Sequence, residues 1–421
     1  MLGRAVQLTC WHQSEGEENI TNSASAEHYL IRCLHSSDSS EVDLPTMREL
    51  NRQGRYLWGD YIGMRIQPPP DVRVLNLESA ITESIRNPDV PSDKAINYHF
   101  HSQNLDEAMQ AYRDERHGGE QSTPVVLSLA NNHVLDFGRR AFEEETLPLV
   151  KSEWLVIGVG YTFSEAARPV KLRIRNSLLH IYAMATGCSG TSSEWAATNR
   201  QSGVFWLPAL THPKAVDNAV RMFKHALALE PSTSPEKPLN LVSIHWGPNW
   251  AYRQGVMADA QAYRVALAHR LIDECGVDII YGHSSHHVRG LERHNGKLII
   301  YGAGDLINDY EGFENPGDEL YVRTGALFVV DIAETDGMLE QVRLVPMYMD
   351  RLRLRRLQSN AAVWSPRNAE LITNPRAPKE FLDFVNRMSR LDSGRSLDAL
   401  NLTLVEEDPQ IPDGPVLTFS S

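Results

Sequence analysis

Histidine, asparagine and carboxylate residues gather at one kind of place in this chain, the ends of short apolar runs. Asn76-Leu77-Glu78 ends the run 71–78, and Asn131-Asn132-His133 follows the run 124–130, with Asp136 one turn later. His245 precedes Trp246-Gly247 at the end of 239–246, and Gly282-His283-Ser284-Ser285-His286-His287 closes 277–283. Gly304-Asp305, then Asn308 and Asp309, close the run 297–305. Imidazole, amide and carboxylate donors together suit a borderline divalent ion such as Zn, Mn, Fe, Co or Ni, and no cysteine contributes to the set. The G-H-x-x-H spacing puts His283 and His286 on one tight loop, which sets them apart from the other histidines. His99, His101, His212, His225 and His269 are read as hydrogen-bonded structural residues. Plainer readings exist elsewhere too. Asn132 and His133 could cap a helix beginning near Asp136, Glu78 could be an ordinary strand-end carboxylate, and Trp246 and Trp250 are read as packing residues or a pocket wall.

The apolar runs that carry these residues are 71–78, 124–130, 154–160, 178–185, 239–246, 277–283, 297–305 and 326–332. Each is short, rich in Val, Ile and Leu, and bounded by polar or glycine residues, which predicts buried strands. Between them lie helical patterns. Val216, Val220, Phe223 and Leu227 recur every three or four positions in 213–229, behind Pro213 as a first-turn residue. Val265, Ala268, Ile272 and Cys275 do the same in 261–275, with Gly276 placed to stop the helix. Strands alternating with helices predict an α/β layer architecture. In open α/β sheets ligands bind just outside the carboxyl ends of strands, so five polar strand ends could converge on one pocket.

The Pro-rich stretch 230–238 is read as a loop inside one domain, since the strand and helix rhythm continues beyond it. Arg and Leu alternate in 351–356, which predicts a half-buried edge strand. Beyond residue 360 the expectation is a C-terminal extension, 361–421, with one helix over 379–391 and a loose tail.

Composition removes several function classes. The chain has 421 residues, 41 basic against 54 acidic, and a formal net charge of -13. A net acidic surface repels phosphate backbones and argues against nucleic acid as a partner. No run approaches the roughly 18 apolar residues of a membrane span, and the first twenty residues have no unbroken apolar segment of signal-peptide type. Four scattered cysteines without a C-x-x-C pair are expected to be reduced thiols in a cytoplasmic compartment.

Four blocks, NLESAIT (76–82), LSLANNHVLDFG (127–138), VSIHWGPNW (242–250) and GHSSHHVRGLERHNGKLIIYGAGDLINDYEG (282–312), resemble in order and spacing the motifs of the CapA family. These are the poly-γ-glutamate, or capsule, synthesis proteins, which share the calcineurin-like metallophosphoesterase fold. The resemblance runs from Met1 to about residue 360 and implies a four-layer α/β/β/α sandwich over 1–360. By resemblance Glu78 occupies the position of a bridging or flanking metal ligand, Asn132 that of the amide ligand, and His245, His283 and His286 those of the imidazole ligands. His133 matches the catalytic histidine, with Asp136 one turn away to orient it. The family's first strand normally ends in Gly-Asp just before a segment like MLGR, with which this sequence begins. The expectation is therefore an upstream in-frame extension, or a lost first ligand and a weakened site. Asp60 is not an obvious replacement. A membrane anchor, common in capsule-type members, is also not seen.

The function implied is hydrolysis by water activated on one or two divalent ions (Mn, Zn or Fe), with His133 protonating the leaving group. The bond would be an amide, ester or phosphoester of a γ-glutamyl polymer or a small biosynthetic intermediate. The alternative from another class is a non-catalytic accessory protein of poly-γ-glutamate or capsule synthesis.

Overall fold

The computed structural model describes residues 55–83, 90–91, 94, 97–109, 112, 123–230, 236–249, 258–308, 324–350, 352–359, 362–365, 370–393 and 399–420. Met1–Arg4, Cys10, Cys33, Trp250 and Asp309, all singled out in the sequence, lie outside these residues.

The apolar runs become three main sheets of a mixed α/β fold. The first sheet is β1 (Arg73–Asn76), β2 (Val125–Ser128) and β3 (Leu155–Ile157), parallel and in that spatial order. The second contains β4 (Val170–Ile174), β5 (Ser177–Thr186), β6 (Trp206–Leu207), β7 (Leu239–His245), β8 (Ile279–His283), β9 (Leu291–His294) and β10 (Lys297–Ile300). Its order is β6-β5-β7-β8-β10-β9, with β4 antiparallel to β5. The central strands β5, β7, β8 and β10 are parallel, and β9 returns antiparallel on β10. The third sheet is antiparallel, β11 (Gly325–Ile332), β12 (Leu339–Asp350), β13 (Arg353–Arg356), β14 (Thr403–Val405) and β15 (Val416–Ser420).

Three long helices cover these sheets. They are α1 (Pro213–Leu229), α2 (Ala258–Cys275) and α3 (Ala377–Asp392). The apolar stripe of α1, with Val216, Val220 and Phe223, joins Leu267, Leu271 and Ile272 of α2 against Tyr182, Met184, Val242, Ile244 and Ile280 of the second sheet. The opposite face of that sheet meets the first sheet, where Ile181, Ala183, Leu241 and Ile279 pack with Val126 and Ile157. Alternation along β2 turns Leu127 the other way, into a core shared with Phe142, Leu147 and Val150 of the helical run 138–153. Both faces of the parallel strands are thus buried, which is why they read as continuous apolar runs.

β13 takes the alternating Arg-Leu segment and pairs only with β12, as an edge strand does. Its alternate residues are buried and half-buried. Asp60 belongs to this corner, where its carboxylate accepts from Arg355 at 3.2 Å and from the Arg356 backbone at 3.0 Å. The segment 408–415, expected to be a loose tail, links β14 to β15, and its Ile411 is fully buried. β14 and β15 extend the third sheet, and Val416 and Leu417 are fully buried. Short strands whose partner lies about 75 residues away along the chain leave little local signal, because their register depends on a distant strand. Among the described residues β1 and β11 are the outermost strands of their sheets, and both line a cavity of about 730 Å³ that Tyr281 and His283 also border.

The C-terminal helix is tied to the loop between β8 and β9. Arg289 Nε lies 3.1 Å from both carboxylate oxygens of Asp392, and the Gly290 N–H donates to the same carboxylate at 2.8 Å. Ser389 Oγ accepts from the Leu291 N–H at 2.9 Å. A Cβ on Gly290 would sit 2.4 Å from the Ser389 Cα, so only glycine permits this approach. Burial alone would push the Asp392 carboxyl up, but Arg289, Arg264 and the Gly290 N–H hold it below the ordinary 3.8.

Removing one partner of a buried ion pair strands the other, at a cost of about 3–5 kcal/mol. Asp392→Ala should lower the unfolding free energy in urea by that amount, and a loss under about 1 kcal/mol would contradict the role given to the pair. Because the folded-state value is depressed, this stabilisation should be complete above about pH 4 and decline as pH falls through the lowered value. The difference between wild type and Asp392→Ala should therefore narrow in acid.

Candidate metal centre

β7 and β8 run parallel with Leu241 opposite Ile279, so the register brings His245 opposite His283 at the last pair. Their Nδ1 atoms lie 2.7 Å apart, close enough that at most one proton fits between them. His283 Nε2 meets Ser243 Oγ at 2.8 Å, and that hydroxyl donates to Ser128 Oγ of the first sheet at 3.0 Å. The ends of two facing sheets are thereby joined through one serine hydroxyl.

The first sheet supplies the other side. Asn132 Oδ1 lies 3.0 Å from His245 Nε2, and Glu78 Oε1 lies 3.7 Å from the same nitrogen. Asn131 organises these loops, donating to Asn76 Oδ1 at 3.2 Å and to the Leu77 carbonyl at 3.0 Å while accepting from the His133 N–H at 3.1 Å. Glu78 Oε2 accepts from Asn76 at 3.0 Å, whereas the buried Oε1 has no hydrogen-bond partner. His286 Nδ1 lies 3.1 Å from Asp305 Oδ1, and Asp305 Oδ2 is again buried without a hydrogen-bond partner.

The loop carrying His283 and His286 has strained backbone. Ser284 and His286 have φ of 101° and 60°, values that L residues rarely adopt and that cost of order 1–3 kcal/mol each. The Ser284 hydroxyl donates to the Gly247 carbonyl at 2.9 Å, and the Ser285 hydroxyl to the His287 carbonyl at 2.7 Å, which holds this shape. Gly282 admits Trp246 behind the strand, since a Cβ there would meet the indole nitrogen at 2.7 Å. Trp246 is fully buried with its Nε1 donating to the Tyr301 carbonyl, a packing role.

Burial sets the electrostatics. It drives the His245 and His283 imidazoles well below the usual histidine range, which leaves them neutral with lone pairs to offer. Burial also opposes charge on His286, but the Asp305 carboxylate outweighs it and holds that imidazole above its ordinary value. Glu78 is pushed up by burial and pulled down further by His286, His133 and His283, so its carboxyl ends below the usual range. Buried carboxylate oxygens lacking donors beside neutral imidazoles form a donor set that a divalent cation satisfies. The residues present therefore fit a metal.

His133 and Asp136 form a separate pair beside this cluster. His133 Nδ1 lies 2.5 Å from Asp136 Oδ2, which also accepts from the Tyr98 N–H at 2.7 Å. The Tyr98 ring packs edge-on against the imidazole at 4.7 Å. Lys94 gave no signal in the sequence, lying in a segment without periodicity. Its ammonium donates to Asp136 Oδ1 and to the Asn132 carbonyl, sits 3.0 Å from His133 Nδ1 and lies over the Trp195 ring at 5.2 Å. Asp305 was visible as a strand-end carboxylate, but its bond to His286 required the fold.

Four other described histidines hold structural places. His99 is buried, and burial pushes it down to about 3. His212 caps α1, accepting from the Ala215 N–H at 3.1 Å. His225 stacks on Phe163. His101 Nδ1 accepts from the Gln103 N–H at 3.2 Å. No helix among the described residues is long and apolar enough to cross a membrane.

The profile of the family described as "Bacterial capsule synthesis protein PGA_cap" matches residues 40–310. A "Probable polyglutamine synthesis accessory protein" of Mycobacterium tuberculosis is 32% identical over 377 residues, covering 89% of this chain and 89% of its own. The "PGA biosynthesis protein CapA" of Bacillus subtilis is 25% identical over 205 residues, 47% of this chain and 46% of its own. Among solved structures, a hypothetical protein from Thermus thermophilus is 11% identical with a TM-score of 0.26, covering 60% of this chain and 77% of its own, a likeness too slight to bear on the fold.

Where these residues hold a transition metal, replacing His283 and His286 together with Ala should remove it. Elemental analysis after desalting should show a loss of at least one equivalent relative to wild type. Full retention in the double variant would contradict the assignment.

Proposed function

Because this chain belongs to the family of bacterial capsule synthesis proteins described as PGA_cap, we propose that it is a metal-dependent hydrolase of that family. We read its fold as the four-layer α/β/β/α sandwich of the metallophosphoesterases, with the ends of the facing sheets as the reaction site. The observation that carries the reading is the pair of buried, partnerless carboxylate oxygens on Glu78 and Asp305 beside His245, His283 and His286. Glu78, Asn132, His245, His283 and His286 would hold one or two divalent ions such as Mn, Zn or Fe. A divalent ion bound there supplies Lewis acidity toward a phosphoryl or carbonyl oxygen and makes water more acidic.

The other residues act on the proton and on position. His133 stands outside the ligand set with Nδ1 engaged by Asp136, which leaves Nε2 to deliver a proton to the departing oxygen or nitrogen. Asp136 fixes the ring and compensates the charge that the imidazole carries before it gives up its proton. Lys94 bonds both Asp136 and the Asn132 carbonyl, and so ties the acid to the ligand loop. The substrate class is an amide, ester or phosphoester bond of a γ-glutamyl polymer or a small biosynthetic intermediate.

A non-catalytic accessory role is the second reading, and the name of the mycobacterial relative favours it. The His133 variant separates the two. With Mn²⁺ or Zn²⁺ supplied, the wild-type protein should turn over aryl phosphates or γ-glutamyl anilides. His133→Ala should keep its metal yet slow substrates with poor leaving groups by about 10²- to 10⁴-fold. Activated leaving groups, which need no proton, should lose far less. Equal losses across leaving groups would remove His133 as the acid. Metal-loaded protein that turns over neither substrate class, yet binds poly-γ-glutamate, would establish the accessory role instead.

A further inference from the structure

Away from the strand ends, four side chains with ligand chemistry meet where α2 crosses the edge of the second sheet. His269 and Asp273 are four apart on α2 and so share one face of the helix. Glu292 and His294 are two apart on β9 and share one face of that strand. His294 also begins a two-residue hairpin, in which Asn295 (φ 49°) and Gly296 (φ 80°) make the left-handed turn that returns the chain to Lys297. Helix and strand therefore each offer one imidazole and one carboxylate to the same point.

The distances are short. His269 Nε2 lies 2.7 Å from Glu292 Oε1, and His294 Nε2 lies 3.0 Å from both oxygens of Asp273. The two imidazoles stack with centroids 3.8 Å apart and planes within 6°. The ligand atoms of His269, Glu292 and His294 all fall within 4.8 Å of one another. Glu292 is fully buried, and its other oxygen accepts from the Tyr301 hydroxyl at 2.6 Å, which fixes the carboxylate with Oε1 toward the imidazoles. Asn295 donates to Asp273 at 2.8 Å and steadies the outer carboxylate in the same way.

We propose that His269, Glu292 and His294, with Asp273 as an outer ligand, form a second divalent-cation site, independent of the strand-end centre. Two nitrogen and two carboxylate donors suit Zn²⁺ and its neighbours Co²⁺ and Ni²⁺. Ligand atoms about 2.0–2.1 Å from a tetrahedral ion are about 3.4 Å apart, and the present separations run from 2.7 Å to no more than 4.8 Å. The Tyr301 hydroxyl behind Glu292 is the outer-shell partner that orients a ligating carboxylate. The ion would fasten α2 to the β9–β10 hairpin and so brace the sheet edge beside β8, which carries His283. Its role is structural, and it stands whether or not the strand-end centre is catalytic.

The test uses the full chain, stripped with chelator and titrated with Zn²⁺ or Co²⁺. In the His283→Ala/His286→Ala background one equivalent should still bind and raise the melting temperature. Adding His269→Gln and His294→Gln, which keep hydrogen-bonding capacity and volume, should abolish that equivalent and the thermal shift. Tyr301→Phe should weaken Zn²⁺ binding by about 10-fold or more, in the range for lost outer-shell partners. Co²⁺ should give a visible absorption band of low-coordinate nitrogen and oxygen ligation, which disappears in the His269→Gln/His294→Gln variant. Unchanged metal content and unchanged melting shift in that variant, with circular dichroism showing it folded, would overturn the site. Should it fail to fold, Asp273→Ala together with Tyr301→Phe takes its place, and Zn²⁺ affinity equal to that of the parent would overturn the site equally.

Discussion

The seam where the parallel strands of two facing sheets end forces ionisable groups into a buried place. Glu78, His245, His283 and His286 are all at least 94% buried, and they meet at the joint between the first and second sheets. Isolated ionised groups in such a setting cost many kcal/mol unless paired, so the joint tolerates them only through mutual contacts. The contacts present do not suffice. Two imidazole nitrogens face each other at 2.7 Å, and one oxygen on each of Glu78 and Asp305 lacks a hydrogen-bond partner. The divalent cation proposed for this site would give the lone pairs a common acceptor and the carboxylates a countercharge.

The rest of the molecule serves to hold that joint closed. α1 and α2 cover the back of the second sheet with apolar stripes, so β5, β7 and β8 keep the register that pairs His245 with His283. The helical run 138–153 packs against the first sheet and supports the loop from Asn131 to Asp136. The buried Arg289–Asp392 pair clamps α3 onto the residues immediately after the His283–His287 loop. A loop with two non-glycine residues at positive φ needs such bracing, because its strain would otherwise relax by moving the ligands.

Much of this was legible in the sequence, for identifiable reasons. Strands buried on both faces read as unbroken Val, Ile and Leu runs, and α1 begins at Pro213 and ends at Leu229 as its periodicity and proline indicate. Polar residues at the ends of those runs stood out against the apolar background. What stayed hidden depends on non-local geometry. The run 297–305 was read as strand throughout, whereas β10 stops at Ile300, and the Gly302 and Gly304 turn then aims Asp305 at His286. Lys94 belongs to no periodic element, so only the folded chain shows it bonded to Asp136. β15 is short and its partner β12 lies far back in the chain, and β14 pairs in turn with β15, so 399–420 carries little local strand signal. His269 looked like one structural histidine among several, because its partner Glu292 sits on a different element 23 residues away.

Anomalous diffraction from crystals grown with Mn²⁺ or Zn²⁺ would show whether the strand-end cluster holds a divalent cation. Data collected on either side of the metal's absorption edge should give a peak bounded by Glu78, Asn132, His245 and His283, with the two imidazole nitrogens drawn apart from 2.7 Å to the spacing of ligands on one ion. A map with no anomalous peak there, with His245 and His283 still in direct contact at saturating metal, would rule out a cation at the strand ends.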